Sequence, residues 1–238
     1  MVGLCRGFVA NPAVMELIVK ICGLSTRPTL AAALDAGAGM VGFVFFPPSP
    51  RVVTAELAAE LAGEARGRAE IAALTVDADD QTIGKIVETL NPDWLQLHGK
   101  ETPERVAEIA ARFGRKVMKA IGVSVAADLA RTRDYAAGAD RLLLDAKAPK
   151  GAVLPGGNGA PFDWTILSGF HAPLPYMLSG GLTPANVAEA LAATRAPGVD
   201  VSSGVETAPG KKDADLIRAF VRNARRAAAA ISIEKVAS

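Results

Sequence analysis

The 238-residue sequence predicts an α/β protein that folds as a single-domain (β/α)8 barrel, the TIM-barrel class. Three observations predict this fold. Short runs rich in Val, Ile and Leu occur eight times, their starts lie 22 to 35 residues apart, and Ala-rich, charge-bearing stretches separate them. Continuous apolar runs of this length are typical of parallel strands buried on both faces. The runs are Leu17–Gly23, Met40–Phe46, Ile71–Val76, Trp94–His98, Lys116–Val123, Arg141–Ala146, Tyr176–Gly181 and Gly198–Ser203.

Helix signals stand between these runs. A hydroxyl that can cap a helix, followed by Pro or an acidic residue, predicts helix starts at Thr26, Thr54, Thr102 and Thr183. Apolar residues at helical spacing predict a last helix over residues 213–230.

Eight strand–helix units could close into a barrel or form a doubly wound open sheet. The open sheet would carry a Gly-x-Gly-x-x-Gly fingerprint after its first strand, but Cys22-Gly23-Leu24 stands there, so the barrel is favoured. No break in composition divides the chain, and we predict one catalytic domain over residues 16–238. Residues 1–15 lie outside the pattern and are predicted to be an N-terminal extension, which could be disordered.

Composition excludes several classes of protein. Lys and Arg number 26 against 25 Asp and Glu, and this balance argues against nucleic acid or an anionic membrane as a partner. No apolar run approaches the roughly 18 residues of a membrane span, and the first residues do not form a signal peptide, so we predict a cytoplasmic protein. Two cysteines exclude a disulfide scaffold, and two histidines leave little for a metal site.

Glycines at two neighbouring strand ends indicate a phosphate site. Gly180 and Gly181 end the seventh run, and Ser203 and Gly204 follow the eighth. Glycine leaves backbone N–H groups uncovered, and the loops after strands seven and eight commonly bind phosphate in barrels of this class. The alternative is that these glycines only make tight turns.

Cys22 ends the first run, where the barrel predicts the mouth of the active site. The period of two along a strand places Lys20 on the same face, and an ammonium beside a thiol favours the thiolate. A free cysteine is also commonly a small buried hydrophobe, and spacing alone does not decide between these interpretations.

Other polar side chains also stand at strand ends. Asp145 follows three leucines and either caps the next turn or takes part in chemistry. Arg51 lies in a Pro-rich loop whose stiff backbone could hold a guanidinium for a carboxylate or phosphate, although it could equally be a solvated surface residue. His98 and Gln96 could bind a ligand or satisfy local backbone groups.

Taken together, these strand ends resemble the phosphoribosylanthranilate isomerase family of tryptophan biosynthesis. The resemblance runs from about residue 17 to 230, with seven short motifs in the same order as in the family. The motifs are Val19-Lys20-Ile21-Cys22-Gly23-Leu24, Gly42-Phe43-Val44-Phe45 with Ser49-Pro50-Arg51, Gln96-Leu97-His98-Gly99, Leu144-Asp145, Phe162-Asp163-Trp164, Leu178-Ser179-Gly180-Gly181-Leu182 and Asp200-Val201-Ser202-Ser203-Gly204-Val205-Glu206.

The resemblance implies an Amadori rearrangement of N-(5-phosphoribosyl)anthranilate by general acid–base catalysis. It places the family's thiol base at Cys22, for which we expect a lowered pKa, and its general acid at Asp145. It implies no cofactor and no metal, a small phosphorylated aminosugar as the partner, and a monomer or homodimer. The substrate-binding positions that it implies are Arg51, Gln96, His98, Gly157, Gly159, Gly180, Gly181, Asp200, Ser202, Ser203 and Gly204.

The sequence departs from the family pattern in the Gly-rich loop before Phe162. Asn158 and Ala160 stand where the family usually has a hydroxyl and a long polar side chain, so only backbone contacts from Gly157 and Gly159 are expected there. The rivals are another phosphate-binding barrel, such as the histidine-pathway isomerase or a ribulose-phosphate epimerase, and a non-catalytic sensor of a phosphorylated ligand. The sensor would have no need for Cys22 and Asp145 together.

Overall fold

Eight parallel strands close into a barrel in the order of the sequence, with β8 paired to β1. The computed structural model describes residues 17–147, 156 and 162–237, with side chains described as far as Ile233. The predicted fold class is confirmed, and each predicted run corresponds to one strand, although β3 begins one residue before its run. The strands are β1 Ile18–Cys22, β2 Met40–Val44, β3 Glu70–Thr75, β4 Trp94–Leu97, β5 Lys116–Val123, β6 Arg141–Ala146, β7 Tyr176–Leu178 and β8 Gly198–Val201.

Six α-helices lie around the barrel in the described part of the chain. Thr54 and Thr102 cap their helices as predicted, since their side chains accept hydrogen bonds from Leu57 N and Arg105 N. The helices are α1 Arg27–Asp35, α2 Ala55–Ala65, α3 Asp80–Leu90, α4 Pro103–Phe113, α5 Val187–Thr194 and α6 Ala214–Ala237.

The predicted helix start at Thr183 is wrong, because α5 begins only at Val187. Thr183 N donates to Asn186 Oδ1 over 2.7 Å, and Asn186 N donates to Thr183 Oγ1 over 3.3 Å. These reciprocal bonds form a turn that satisfies the local backbone and delays the helix by one turn.

Two of the connections between strands contain 3₁₀ helices in their described parts, at Ala126–Tyr135 and Trp164–Leu167. After β8 the chain forms a 3₁₀ turn at Ser203–Val205. A small antiparallel hairpin follows, made of β9 Glu206–Ala208 and β10 Lys211–Lys212. This hairpin was not predicted.

Alternation along the strands divides the buried residues into two environments. One set faces the helices and forms the main apolar core, whereas the other faces the barrel axis. Met40, Trp94, Met118, Leu143 and Met177 fill the lower part of the barrel interior. Above them the inward positions become polar, so the alternation places the functional side chains at the C-terminal mouth.

Some predictions concern residues that lie outside the described part of the chain. These are the N-terminal extension over residues 1–15 and the substrate-binding positions Gly157 and Gly159. Among the described helices, none has both the length and the apolar character needed to cross a membrane.

Candidate active site

A cavity opens at the C-terminal ends of the barrel strands and contains most of the predicted site residues. Gly204 lies just outside its wall. The predicted residues that line it are Cys22, Arg51, Gln96, His98, Asp145, Gly180, Gly181, Asp200, Ser202 and Ser203. Apolar side chains line one side of the cavity, namely Val44, Phe46, Leu74 and Val76. The cavity therefore combines an apolar wall suited to an aromatic ring with a polar floor and rim.

Cys22 ends β1 and faces the cavity from the barrel interior. The alternation of β1 places Lys20 one layer below, where it is fully buried. Lys20 Nζ lies 2.6 Å from Asp200 Oδ1, and Ser179 Oγ lies 3.1 Å from Asp200 Oδ2. Asp200 and the Cys22 thiol raise the pKa of Lys20 to about 12 against the opposing effect of burial, so this side chain is an ammonium.

The expected lowering of the Cys22 pKa is wrong for this arrangement. Burial raises the pKa of the thiol above its ordinary value, and the Lys20 ammonium offsets this only in part. Lys20 is already paired with the carboxylate of Asp200, which itself disfavours a nearby thiolate. The first physical reason is that burial disfavours the charged thiolate, and the second is that a compensated cation stabilises a neighbouring anion less than a free one.

Asp145 ends β6 and lies in a chain of three side chains across the cavity. His98 Nε2 lies 3.1 Å from Asp145 Oδ2, and His98 Nδ1 lies 3.1 Å from Gln96 Nε2. Asp145 Oδ1 also accepts a hydrogen bond from Ala146 N over 2.9 Å. Gln96 Oε1 is buried and has no hydrogen-bond partner among the described residues. A buried acceptor of this kind is suited to a donor on a bound ligand.

Arg51 comes from the Pro-rich loop after β2 and is nearly fully buried. Its Nε and Nη2 donate to Glu206 Oε1 and Oε2 over 2.7 and 2.8 Å. Lys212 Nζ donates to the same Glu206 Oε1 over 2.7 Å. Hydrogen bonds from Arg51 and the charge of Lys212 hold the pKa of Glu206 below its ordinary value despite burial, so Glu206 is a carboxylate. The Arg51 guanidinium is therefore fixed before any ligand binds.

The loops after β7 and β8 approach each other closely, as the predicted phosphate site requires. Gly180 and Gly181 have φ values of +82° and +65°, which side chains rarely adopt. A Cβ at Gly180 would collide with Ala146 N, and one at Gly204 would collide with Leu182 O. The glycines at these two positions are thus needed for the close packing of the backbone.

Sequence reasoning missed Glu206 and Lys212, which lie beside the cavity with Arg51, and gave no role to Ser179, which bonds Asp200. Glu206 was quoted within a motif but received no role, and Lys212 was not singled out. The signal that could have identified Glu206 is its position close after a strand end, although nothing in the sequence indicates that it pairs with a residue 155 positions earlier. Among the described residues, no group of three His, Cys, Asp or Glu side chains could hold a metal ion.

The fold and the cavity define a (β/α)8-barrel enzyme with a candidate acid and a candidate base at its C-terminal face. A family model described as N-(5'-phosphoribosyl)anthranilate (PRA) isomerase matches residues 19–223. The chain belongs to the PRA isomerase family, and it is an enzyme of the isomerase class that acts in tryptophan biosynthesis. The resemblance stated from the sequence is confirmed.

Similar proteins agree with this assignment. The N-(5'-phosphoribosyl)anthranilate isomerase of Rhodopseudomonas palustris strain HaA2 is 61% identical over 211 residues, which cover 89% of this chain and 97% of that protein. The N-(5'-phosphoribosyl)anthranilate isomerase of Bradyrhizobium diazoefficiens is 62% identical over 211 residues, which cover 89% of this chain and 95% of that protein.

Solved structures extend the comparison to the fold and to a ligand. The crystal structure of phosphoribosyl anthranilate isomerase from Thermotoga maritima has a TM-score of 0.80 and 36% identity, and covers 88% of this chain and 99% of its own. A structure of such an isomerase in complex with reduced 1-(o-carboxyphenylamino)-1-deoxyribulose 5-phosphate has a TM-score of 0.77 and 34% identity over the same shares of the two chains.

Proposed function

We propose that Cys22 and Asp145 carry out the Amadori rearrangement of N-(5-phosphoribosyl)anthranilate to 1-(2-carboxyphenylamino)-1-deoxyribulose 5-phosphate. The observation that carries this proposal is that both side chains line one cavity from strands β1 and β6, which are not neighbours. A substrate bound between them could meet an acid and a base on different sides, as general acid–base catalysis of this reaction requires.

The proposed steps need one proton donor and one proton acceptor. Asp145, as the carboxylic acid, protonates the furanose ring oxygen while the anthranilate nitrogen supplies electrons to form an iminium and open the ring. The Cys22 thiolate then removes the proton from C2, and the C2–H electrons neutralise the iminium to give an enolamine. Tautomerisation of the enolamine gives the ketone. The rearrangement moves protons within one molecule and has no net oxidation or reduction, so the proposal needs no cofactor and no metal.

The base is supported by its charged neighbour. Lys20 is an ammonium in contact with the thiol, and Asp200 and Ser179 hold it in place. Although burial raises the pKa of Cys22, the thiolate that forms during the reaction is stabilised by this cation. We therefore assign Lys20 the role of positioning and stabilising the base.

The remaining contacts orient the substrate. We place its phosphate at the loops of Gly180, Gly181 and Ser203, which line the cavity, and Ser202 and Gly204 complete these loops. The aromatic carboxylate is assigned to Arg51. His98 and Asp200 line the cavity between these ends, next to the acid and the base.

Gln96 supplies an acceptor from the floor of the cavity. Its unpaired Oε1 is assigned to a donor of the substrate, because a buried acceptor without a partner is costly. A bound hydroxyl or amine would satisfy it.

The experiment that tests the function is turnover of freshly prepared phosphoribosylanthranilate, whose fluorescence falls on conversion. We expect Cys22→Ser to lower kcat by at least about a hundredfold, because a hydroxyl is a far weaker base. Asp145→Asn should lower kcat by a similar factor, because an amide cannot protonate the ring oxygen. Binding of the reduced product analogue should persist in both variants. Near-normal kcat in Cys22→Ser would remove the thiol from the mechanism, and absence of turnover by the unaltered protein would leave the sensor as the better interpretation.

The orientation of the substrate has its own test. Ser203→Asp should abolish inhibition by inorganic phosphate, because the new carboxylate repels the anion. Arg51→Ala should instead spare phosphate inhibition and raise KM by roughly tenfold or more, the effect of losing a charge-assisted pair. The reverse pattern, in which Arg51→Ala alone abolishes phosphate inhibition, would show that the substrate binds the other way round.

We propose the cytoplasm as the compartment, because the thiol base must stay reduced and Cys22 forms no disulfide. We also propose that the chain acts as a monomer or a homodimer. Both forms have been described for the isomerase of Thermotoga maritima, of which monomers were generated from a dimeric enzyme.

A further inference from the structure

Four donors converge on the carboxylate of Glu206. Arg51 Nε and Nη2 bind its two oxygens in a parallel pair, Lys212 Nζ binds Oε1, and Gly210 N donates to Oε2 over 3.2 Å. The side chain is almost fully buried, as are those of Arg51 and Lys212. Such a bidentate, charge-assisted contact fixes both the position and the plane of a guanidinium.

The contact uses only one edge of the Arg51 guanidinium. Arginine has five N–H donors in a planar fork, and the edge formed by Nη1 and the second N–H of Nη2 is the one that Glu206 does not occupy. Arg51 lines the cavity, whereas Glu206 and Lys212 do not. The arrangement therefore anchors the edge formed by Nε and Nη2 in the protein and leaves the adjacent edge for a ligand carboxylate.

The hairpin that carries Glu206 is itself locked in place. Gly210, at φ +78°, packs so closely on Pro50 that a Cβ would collide with the Pro50 carbonyl oxygen. Lys212 Nζ also donates to Ser202 O over 2.9 Å, and Ser202 Oγ donates to Cys22 O over 3.2 Å. The hairpin thus connects the loop of Arg51 to the ends of β8 and β1.

The charges within this cluster favour an anion. Arg51 and Lys212 contribute two positive charges, and Glu206 contributes one negative charge, so one positive charge is left uncompensated among these three side chains. A guanidinium that is fixed in advance loses little side-chain entropy when it binds, so the affinity for a carboxylate depends on the anchor as well as on the arginine.

We propose that Glu206 is a positioning residue that holds Arg51 for the aromatic carboxylate of the substrate, and that the β9–β10 hairpin thereby sets the selectivity for carboxylate-bearing substrates. This inference rests on the proposed function, because it takes Arg51 as the partner of that carboxylate. Glu206 makes no contact with the substrate in this proposal and acts only through Arg51.

The test compares two probes, the reduced product analogue and its counterpart in which the aromatic carboxylate is replaced by hydrogen. For the unaltered protein we expect the carboxylate to tighten binding by about tenfold or more. Glu206→Gln should abolish most of this preference, because an amide can accept from only one of the two guanidinium N–H groups. Turnover should show a raised KM and a smaller change in kcat.

Three further variants keep the result interpretable. In an Arg51→Ala background, Glu206→Gln should cause no further loss of carboxylate preference, since the two residues act as a unit. Glu101→Gln is the matched control, because it breaks another buried Lys–Glu pair of 2.7 Å, with Lys119, away from the cavity, and it should leave the preference unchanged. Should Glu206→Gln fail to fold, Glu206→Asp keeps the charge, shifts the guanidinium and should still reduce the preference.

The outcomes separate this inference from the proposed function. An unaltered protein that turns over substrate and prefers the carboxylate, together with a Glu206→Gln variant that retains the full preference, would overturn the role of Glu206 alone. An additive effect of Glu206→Gln in the Arg51→Ala background would also overturn it. An unaltered protein with neither turnover nor carboxylate preference would instead contradict the proposed function.

Discussion

Two lysines of the barrel, Lys20 on β1 and Lys119 on β5, are buried to the same degree but lie in opposite environments. Their exposed fractions are 0% and 1%. Lys20 points into the barrel, against Asp200 and the Cys22 thiol, and its pKa is raised to about 12. Lys119 points outward to the helix layer, where burial lowers its pKa although Glu101 lies 2.7 Å away.

The partners explain the difference. Lys119 donates to Glu101 and to the carbonyl oxygens of Leu97 and Gly99, and it lies 5.7 Å from the centre of the Tyr135 ring. These groups satisfy the ammonium and tie the end of β4 to β5. Lys20 instead stands beside the Cys22 thiol, the proposed base, which lines the cavity. Burial of a lysine therefore does not by itself indicate a functional site. The contact of Lys20 with a thiol that lines a cavity is what indicates one.

The largest expected effect separates the two lysines by activity. Lys20→Met should lower kcat by about a hundredfold, because the thiolate loses its cation, whereas Lys119→Met should leave kcat within about threefold. Both variants should lower the free energy of unfolding by about 3–5 kcal/mol, because each leaves a buried carboxylate unpaired. The measurements are turnover at saturating substrate and urea denaturation. Equal losses of kcat in the two variants would show that the loss comes from reduced stability and that Lys20 has no separate role in the reaction.

Double variants remove the cost of the unpaired charge. Lys20→Met with Asp200→Asn should recover much of the free energy of unfolding but not kcat. Lys119→Met with Glu101→Gln should recover stability and remain active. Recovery of kcat in the first double variant would contradict the assigned role of Lys20.

A smaller effect concerns pH. Burial raises the pKa of Cys22, and the proposed reacting form is its thiolate, whose fraction falls about tenfold for each pH unit below that pKa. We expect the rate at which iodoacetamide alkylates Cys22, followed by peptide mass spectrometry, to rise by roughly tenfold from pH 7.5 to 8.5, with Lys20 still charged because its pKa is about 12. Lys119→Met should show the same profile. A flat profile over this range would indicate that the thiol is already ionised.

The smallest effect sharpens the structural role of the region around Lys119. Tyr135 OH donates to Glu101 O over 3.0 Å in a buried contact. Tyr135→Phe should lower the free energy of unfolding by about 1–2 kcal/mol, because the carbonyl loses its partner, and should not change kcat. Thermal or urea unfolding measures the first quantity. A loss of activity without a loss of stability would place this region in the catalytic machinery.

Local patterns in the sequence were sufficient for the fold and for much of the site. The apolar runs placed all eight strands because a strand buried on both faces has a distinctive composition. The period of two then placed Cys22 with Lys20 on the inward face, and the strand ends identified Asp145 and the glycine loops. The start of α5 was predicted at Thr183 and lies at Val187, because the hydrogen bonds of Thr183 with Asn186 compete with helix formation.

The electrostatics of the site depended on pairs that are distant in sequence. Lys20 meets Asp200 across 180 positions because β8 closes against β1, and Arg51 meets Glu206 only because a hairpin after β8 packs on the β2 loop. The first contact compensates the cation beside Cys22, whose pKa burial raises, and the second fixes the orientation of the guanidinium. Residue type and local spacing determined which groups reach the mouth of the barrel, but closure of the barrel decided which charges are compensated there, since electrostatic energy depends on distance and burial in space.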